Sequence, residues 1–521
     1  MNTHDTKDTV THDHHEASDN HTPRASKRQW AGLIIMVIPL FMLSTDITVL
    51  YLAMPAITAD LMPVGAQSLW ILHIGEFLSA ATIITFGLLA RRVGARRLLL
   101  GAVAVYGVAS LIAAYAVNAE MLIVGRALLG IAAAAFTPAG MVLIRRAFRN
   151  PKQYNVAFAA YMAAFAGGMA AGPPFGGLIL EYFWWGAVFL INVPIAAVLL
   201  IGGPFLLERN HADRQVRIDT LSVVLSIATI LALVYGLQEL AAGGFAGLPL
   251  ASAGVGIGLL LLFIRRQRTS SNPLLELALF RNGTFRLMLI LIFTAMFGMT
   301  VADMLLPQYL QLVRGMSPLQ TGLLLLTPAL GATAGTMLTP ILAGARRKAL
   351  PLAATVAIAG TVSGFLVLML PDGSLLSIIT ALTLISIAGA PFMTLVSQML
   401  ISAVPEEKTG SATAVQDVTA GLGMASSLAF LGAGALVVYR RVLATQVDGE
   451  VPAEAVDAAG ENFGIPTSVV RDLSLDEGAL LVSAAETAFT TTTQSGYLVY
   501  AVFSVVLVSM VLLLRRFVRI G

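Results

Sequence analysis

Runs of about 20 apolar residues recur along this chain, and no other feature constrains its fold so strongly. A helix rising 1.5 Å per residue crosses the ~30 Å hydrocarbon core of a bilayer in about that length. Fourteen such runs occur, at roughly 31–57, 67–90, 98–117, 121–144, 154–180, 185–207, 220–240, 248–264, 287–309, 319–342, 350–370, 375–401, 411–438 and 492–514. A short apolar run can be a buried soluble helix, but fourteen in one chain cannot share a water-facing surface that is only 12% charged, where soluble domains carry about a quarter. The chain is expected to be an all-α polytopic membrane protein.

Lys and Arg set its orientation. With the N-terminus placed inside and the chain alternating across fourteen spans, 27 of the 32 basic residues fall on the cytoplasmic side. They cluster at Arg91–Arg97, Arg145–Lys152, Arg209–Arg217, Arg265–Arg286, Arg346–Lys348 and Arg515–Arg519. This satisfies the positive-inside rule with both termini cytoplasmic. The +3 formal charge therefore reflects topology, and no nucleic-acid partner is expected. The segment 442–487, between spans thirteen and fourteen, falls outside. It holds nine acids and one base, Arg471, and reads equally as a solvated spacer or as an ordered element over a substrate exit. Residues 1–29 form a polar tail with five of the seven histidines, expected to be disordered rather than metal-binding. The chain has no cysteine, no HExxH and no GxxxxGK[ST], so neither metal catalysis nor direct use of ATP is expected, and the protein is not read as an enzyme.

"GARR" occurs at Gly94–Arg97 and again at Gly344–Arg347, each between two apolar spans on the cytoplasmic side. The repeat suggests two related halves. The expected domains are a six-helix bundle at 30–207, an inserted helix pair with linkers at 208–284, a second six-helix bundle at 285–517 that includes the acidic segment 442–487, and a cytoplasmic tail at 518–521.

The spans carry few ionisable groups: Asp46 in span one, His73 and Glu76 in span two, Arg126 in span four, Asp303 in span nine and Asp417 in span thirteen. A charge at the bilayer centre costs about 2.5–3.5 kcal/mol on insertion scales, and usually faces a polar cavity or an ion path. Four acids against one base favour a cationic solute. A carboxylate removed from water favours its protonated form, whereas an arriving cation favours the ionised one. Proton and cation then exclude one another, which is the physical minimum for antiport. Asp46 and Asp303 come from opposite halves. Phe41, Tyr51, Phe77, Phe165, Phe293, Phe297 and Tyr309 are candidates for cation–π contacts, although each is more readily a packing aromatic.

Several motifs resemble the major facilitator superfamily, and within it the fourteen-span drug:proton antiporters of the QacA/SmvA type, over roughly Trp30 to Phe517. "LSTDITVLYLAMPAI" is similar to the span-one pattern D-x-T-V-x-N-x-A-x-P through Asp46, Thr48, Val49, Ala53 and Pro55, with Tyr51 in place of Asn. "GLLARRVGARR" resembles the loop motif G-x-L-a-D-r-x-G-r-[kr]-[kr] through Gly87, Leu89, Arg92, Gly94, Arg96 and Arg97, with Arg91 where the family has an Asp that helps hold the cytoplasmic gate. "LIVGRALLG" carries the buried Arg126, tied in the family to proton coupling, and Gly130. "GGMAAGPPFGG" matches the span-five antiporter motif at Gly168, Gly172, Pro173, Gly176 and Gly177. The family's span-two acid falls on His73, one turn from Glu76, and its span-thirteen Glu falls on Gln416, beside Asp417.

The resemblance implies a major-facilitator fold of two six-helix bundles plus two central helices, in a bacterial cytoplasmic membrane, mostly as a monomer. It implies proton-coupled export of lipophilic cations (quaternary ammonium compounds, cationic dyes, biguanides, viologens) by alternating access, driven by the proton gradient with no cofactor. Asp46, Arg126, Glu76 and His73 are the expected proton-coupling group. Asp303, Asp46, Asp417, Gln416, Tyr51 and Phe297 are the expected substrate-binding group. Gly87, Arg91, Arg92, Gly94, Arg96 and Arg97 of the loop, with the span-five motif, are the expected gating elements. The rival readings are a transporter of an endogenous metabolite on the same fold and a non-transporting membrane sensor.

Overall fold

A computed structural model describes residues 25–63, 67–208, 213, 219–243, 247–270, 277–343, 349–405, 408–447, 449–460, 463, 469, 471 and 473–514. The tail at 1–24, the second GARR at 344–347 and the tail at 518–521 lie outside the described residues.

The first half holds α1 (Lys27–Leu61), α2 (Gln67–Leu89), α3 (Ala95–Ala114), α4 (Ala119–Ala133), α5 (Phe136–Ala147), α6 (Pro151–Tyr182), α7 (Ala187–Leu190) and α8 (Asn192–Leu206). Then come α9 (Thr220–Gly243) and α10 (Gly247–Thr269). The second half holds α11 (Gly283–Leu312), α12 (Pro318–Met337), α13 (Thr339–Ala343), α14 (Ala349–Met369), α15 (Leu375–Ser402), α16 (Thr409–Ser427), α17 (Ala433–Val447), α18 (Ala453–Gly460) and α19 (Leu475–Leu514). Among the described residues, eleven helical segments are long and apolar enough to cross a membrane. One of them, Gln67–Ala114, is 48 residues long and runs through a π-helical turn at Ala90–Gly94.

Sequence explains where these helices stop and break. Ser26 and Ser317 each close a capping box with Gln29 and Gln320, fixing the starts of α1 and α12. Three spans are interrupted: α4 from α5 at Ala134–Ala135, α7 from α8 at Ile191, and α12 from α13 at Leu338. Each break falls two to four residues before a proline (Pro138, Pro194, Pro340), whose ring removes a helix hydrogen bond and clashes with the carbonyl four residues earlier.

The last span corrects the expected 492–514. α19 starts seventeen residues earlier because Ser474 caps it through Glu477, and the alanine-rich run "GALLVSAAETAF" continues the helix outside the apolar stretch. Within the acidic segment 442–487 the described residues include the end of α17, all of α18 and the start of α19. Arg440 donates to the Gly460 carbonyl at 2.7 Å, and Tyr439, Phe463 and Phe489 form one aromatic cluster with ring centroids 5.3–6.2 Å apart.

The packing of the first half recurs in the second: α1 on α6 as α11 on α16, α2 on α4 as α12 on α15, and α3 on α8 as α14 on α19. The halves meet along α6–α12, α2–α16 and α1–α11, and α9 lies across α2 and the π-helical turn at Leu428–Gly432. One end of the bundle, here the basic end, carries Arg28, Arg91, Arg92, Arg97, Arg145 and Arg146; the other, the acidic end, carries α18 and the start of α19. Toward the acidic end a single apolar core runs through both halves, joining Leu50 and Met54 to Met304–Leu310 and Leu366. At the basic end the second half keeps a separate core around Phe285, Met288, Leu400 and Val511. The two halves are thus cemented at the acidic end and individually packed at the basic end.

Candidate functional site

Asp46 sits near the middle of α1, and Arg126 of α4 donates from Nη1 to its Oδ2. Both side chains are nearly out of solvent, 9% and 3% exposed, so this is an interior ion pair. Two carbonyls of α2 complete the guanidinium shell: Nε donates to Ile71 O at 3.2 Å and Nη2 to Leu72 O at 3.3 Å. The Phe189 ring lies 6.0 Å from the guanidinium carbon, the outer range of a cation–π contact. A buried charge is tolerated only when its hydrogen bonds are met, and this one is held by three helices.

Arg126 reaches α2 because glycines let the helices touch. A Cβ on Gly75 would stand 3.0 Å from Arg126 O, and one on Gly130 would stand 2.5 Å from the Gly75 carbonyl carbon. Ordinary carbon contacts lie near 3.5–4.0 Å. One turn along, His73 Nδ1 and Glu76 Oε2 are 3.0 Å apart. His73 is fully buried, with its Nε2 unpartnered among the described residues, whereas Glu76 is 16% exposed. The ring of Tyr51 lies 5.8 Å from that of His73. The four residues expected to couple protons therefore share one region of α1, α2 and α4.

Asp303 stands across from them. Residues 300–310 of α11 are buried except for Asp303, which is exposed. Protein nonetheless surrounds it: Tyr51 of α1 and Tyr497 and Tyr500 of α19 lie within electrostatic reach of its carboxylate. Its side chain is thus open to solvent while groups on two other helices come within its electrostatic reach. Asp303 has no ion-pair or hydrogen-bond partner among the described residues. Tyr51 is also within reach of Glu76 and Arg126, so it links the acid of the second half to the charged group of the first.

The other expected residues scatter. Gln416 accepts from Ser397 Oγ at 2.8 Å, which turns it toward α15. Asp417, 100° further round, is half-buried and shares a face with Gly421, which opposes Ala80 of α2. Phe297 packs between Phe293, at 6.1 Å, and Phe503, at 5.1 Å. Tyr309 is fully buried and donates to Leu370 O, and Phe77 packs on Val234 of α9; neither is open to solvent.

The glycine motif of α6 is a packing device. Gly168 admits Ser44 and Phe41, Gly172 admits Thr48, and Gly176 admits Val49, so one face lies against α1. Gly177 and Pro173 meet Pro318 and Gly322 of α12, so the same stretch also seals the seam between the halves. In the loop motif, Gly94 takes φ 95°, a conformation that favours glycine, at the end of the π-helical turn. Arg91 and Arg92 project into solvent, Arg96 donates to Pro204 O at 2.6 Å, and Gly87 packs loosely on Pro138.

Sequence reasoning missed three tyrosines. Tyr106 of α3 is fully buried beside Asp46, although its hydroxyl has no hydrogen bond of ordinary geometry. Tyr497 and Tyr500 lie within electrostatic reach of Asp303; their i, i+3 spacing in "GYLVYAVF" was the available signal.

The profile of the Major Facilitator Superfamily matches residues 36–428. The "Multidrug efflux pump LfrA" of Mycolicibacterium smegmatis is 33% identical over 470 residues, covering 90% of this chain and 92% of its own length. The "Methyl viologen resistance protein SmvA" of Salmonella typhimurium is 31% identical over 467 residues, covering 89% and 93%. Among solved structures, an inward-facing bacterial homolog of the human lysosomal transporter Spinster superposes with a TM-score of 0.63 at 15% identity, covering 94% of this chain and 98% of that one.

Proposed function

Because the chain belongs to the Major Facilitator Superfamily, a family of transporters and not enzymes, we propose that it is a multidrug efflux antiporter that exports lipophilic cations in exchange for protons. It is a multi-pass membrane protein acting on small molecules; the identity of the cargo and the coupling ion are our reading. A relative named for multidrug efflux supports a drug cargo, and one named for resistance to methyl viologen, an organic dication, supports a cationic one.

The observation that carries the reading is Asp303: an exposed carboxylate of α11, unpaired among the described residues, with Tyr51, Tyr497 and Tyr500 within its electrostatic reach. Aromatic faces and one negative charge attract a flat or bulky cation and repel an anion. The only intramembrane base of the sequence, Arg126, is already committed to Asp46 and to two carbonyls, which argues against a site for an anionic metabolite.

In the proposed cycle the basic end faces the cytoplasm, and fourteen spans follow if Gln67–Ala114 is counted as two and α9 and α16–α17 as one each. The separate cores at the basic end support an inward-open arrangement in which Asp303 meets cation from the cytoplasm. Occupancy at Asp303 and protonation at Asp46 are coupled through Tyr51 and Glu76. A proton entering from the acidic side neutralises Asp46, frees Arg126 from its partner and lets α1 and α4 shift against α2; a cation arriving at Asp303 expels that proton to the cytoplasm and restores the Asp46–Arg126 pair. The proton gradient supplies the energy. The protein acts as a monomer in the bacterial cytoplasmic membrane, and no cofactor has a role in the cycle.

The test is transport of a monovalent cationic dye by purified protein in liposomes with an imposed pH gradient. Gradient-driven dye movement by wild type, lost in Asp303→Asn, supports the reading. Transport of anionic solutes with no cation movement would overturn it.

A further inference from the structure

The basic end carries a second site that the transport cycle does not use. A cavity of about 490 Å³ opens between the ends of α1, α5 and α8, lined by Gln29, Met36, Arg145, Arg146, Arg149 and Glu208 among others. Leu143, Leu207 and Met36 are each almost fully buried there and form an apolar floor. The three arginines stand at its rim with exposed side chains, and none has a hydrogen-bond or ion-pair partner among the described residues. Glu208, the one acid of the lining, is instead held by Gln29, whose Nε2 donates to it at 2.8 Å.

Three guanidinium groups converging on one cavity leave an excess of positive charge over a single carboxylate. Their forked donors match the oxygens of a phosphate. The surroundings identify the carrier of that phosphate. Ile201 and Phe205 on α8, which ends at the cavity, are each 70% exposed apolar side chains. An acyl chain running along such a surface ends, at the level of the helix termini, beside the arginines. Basic pockets between spanning helices on the positively charged side of a membrane protein are suited to anionic headgroups.

We propose that this cavity binds the phosphate of an anionic phospholipid from the leaflet at the basic end. The placement gives the lipid leverage, because α1 carries Asp46 and α5 continues the span that carries Arg126. A lipid seated here tethers the two helices that hold the interior ion pair. This assignment stands apart from the efflux reading and is tested without transport.

The experiment is native mass spectrometry and thermal melting of the purified full-length chain with phosphatidylglycerol or with phosphatidylcholine. Wild type is compared with Arg145→Gln/Arg146→Gln/Arg149→Gln and with the corresponding triple Lys variant. Wild type should retain phosphatidylglycerol in preference to phosphatidylcholine and melt higher with it. The Gln variant should lose about a hundredfold in phosphatidylglycerol affinity, the scale of three surface charges. The Lys variant, which keeps the charge without the fork, should fall between them and so separates lost binding from lost folding. Equal phosphatidylglycerol retention by wild type and the Gln variant overturns the site. Equal protection of wild type by inorganic phosphate alone overturns the lipid as its occupant.

Discussion

Replacing Gly130 with alanine tests whether the helix contact that seats Arg126 governs function. The added Cβ would stand 2.5 Å from the Gly75 carbonyl carbon, where about 3.5 Å is the nearest comfortable approach. The atoms facing it are backbone and cannot rotate away, so α2 and α4 must separate by about 1 Å. That displacement is comparable with the margin of the two bonds from Arg126 to Ile71 and Leu72, already 3.2 and 3.3 Å long. Overpacking of this kind costs about 1–3 kcal/mol. With an unfolding entropy of about 2.1 cal/mol/K per residue, a chain of this size should lose about 1–3 °C in Tm. Transport should fall far more, by about ten- to a hundredfold, because a shift of about 1 Å misplaces the charged group itself. The assay is gradient-driven dye efflux in inverted membrane vesicles, alongside the melting temperature of purified protein. Gly101→Ala, where a Cβ meets nothing within 4 Å, is the control and should match wild type. Gly130→Ala behaving like Gly101→Ala in both assays would refute the reasoning.

A double-mutant cycle on the interior pair should be strongly non-additive. Arg126→Gln and Asp46→Asn each strand a buried charge, while the double variant strands neither, so melting should give a coupling of about 1–3 kcal/mol; simple additivity would show that the pair is not a unit. Outside the membrane, Asp219 receives Nε and Nη2 of Arg266 at 2.8 Å each, and these bonds hold its carboxyl down to about 2 from an ordinary 3.8. A lowered folded value means that the stabilisation is present above about pH 4 and is lost as pH falls through about 2. Arg266 is 38% exposed, so the effect is small: Asp219→Asn should melt about 1 °C lower at pH 7 and converge with wild type near pH 2. A gap that persists unchanged down to pH 2 would refute it.

The spans were legible because bilayer thickness imposes a length on every apolar run, and α2, α6 and α15 begin and end within three residues of their expected limits. The breaks in spans four, six and ten were less so: each proline was visible, but whether a proline ends a helix or merely bends it depends on what packs beside it. Pro39 and Pro55 sit inside an unbroken α1. The start of α19 was misread because hydropathy marks the membrane and not the helix, and Ser474 with an alanine-rich run carries the helix on into the acidic segment. At the site, the rarity of charge in apolar spans picked out Asp46, Arg126, Glu76 and Asp303. Which of them meet depends on how the spans associate. Tyr106, Tyr497 and Tyr500 stayed hidden because a tyrosine in an apolar span gives no sign of which carboxylate it will stand beside. Gln416 and Asp417 were ambiguous for the same reason, and the hydrogen bond to Ser397 turns the glutamine toward α15.

The central claim is that cation and proton compete through Asp303 and Asp46. The most direct measurement is proton release on adding a monovalent lipophilic cation to purified protein in weakly buffered detergent solution. The account predicts release by wild type, saturating with cation binding, and no release by Asp46→Asn. Binding of the cation by wild type with no proton released, or release that persists in Asp46→Asn, would contradict it.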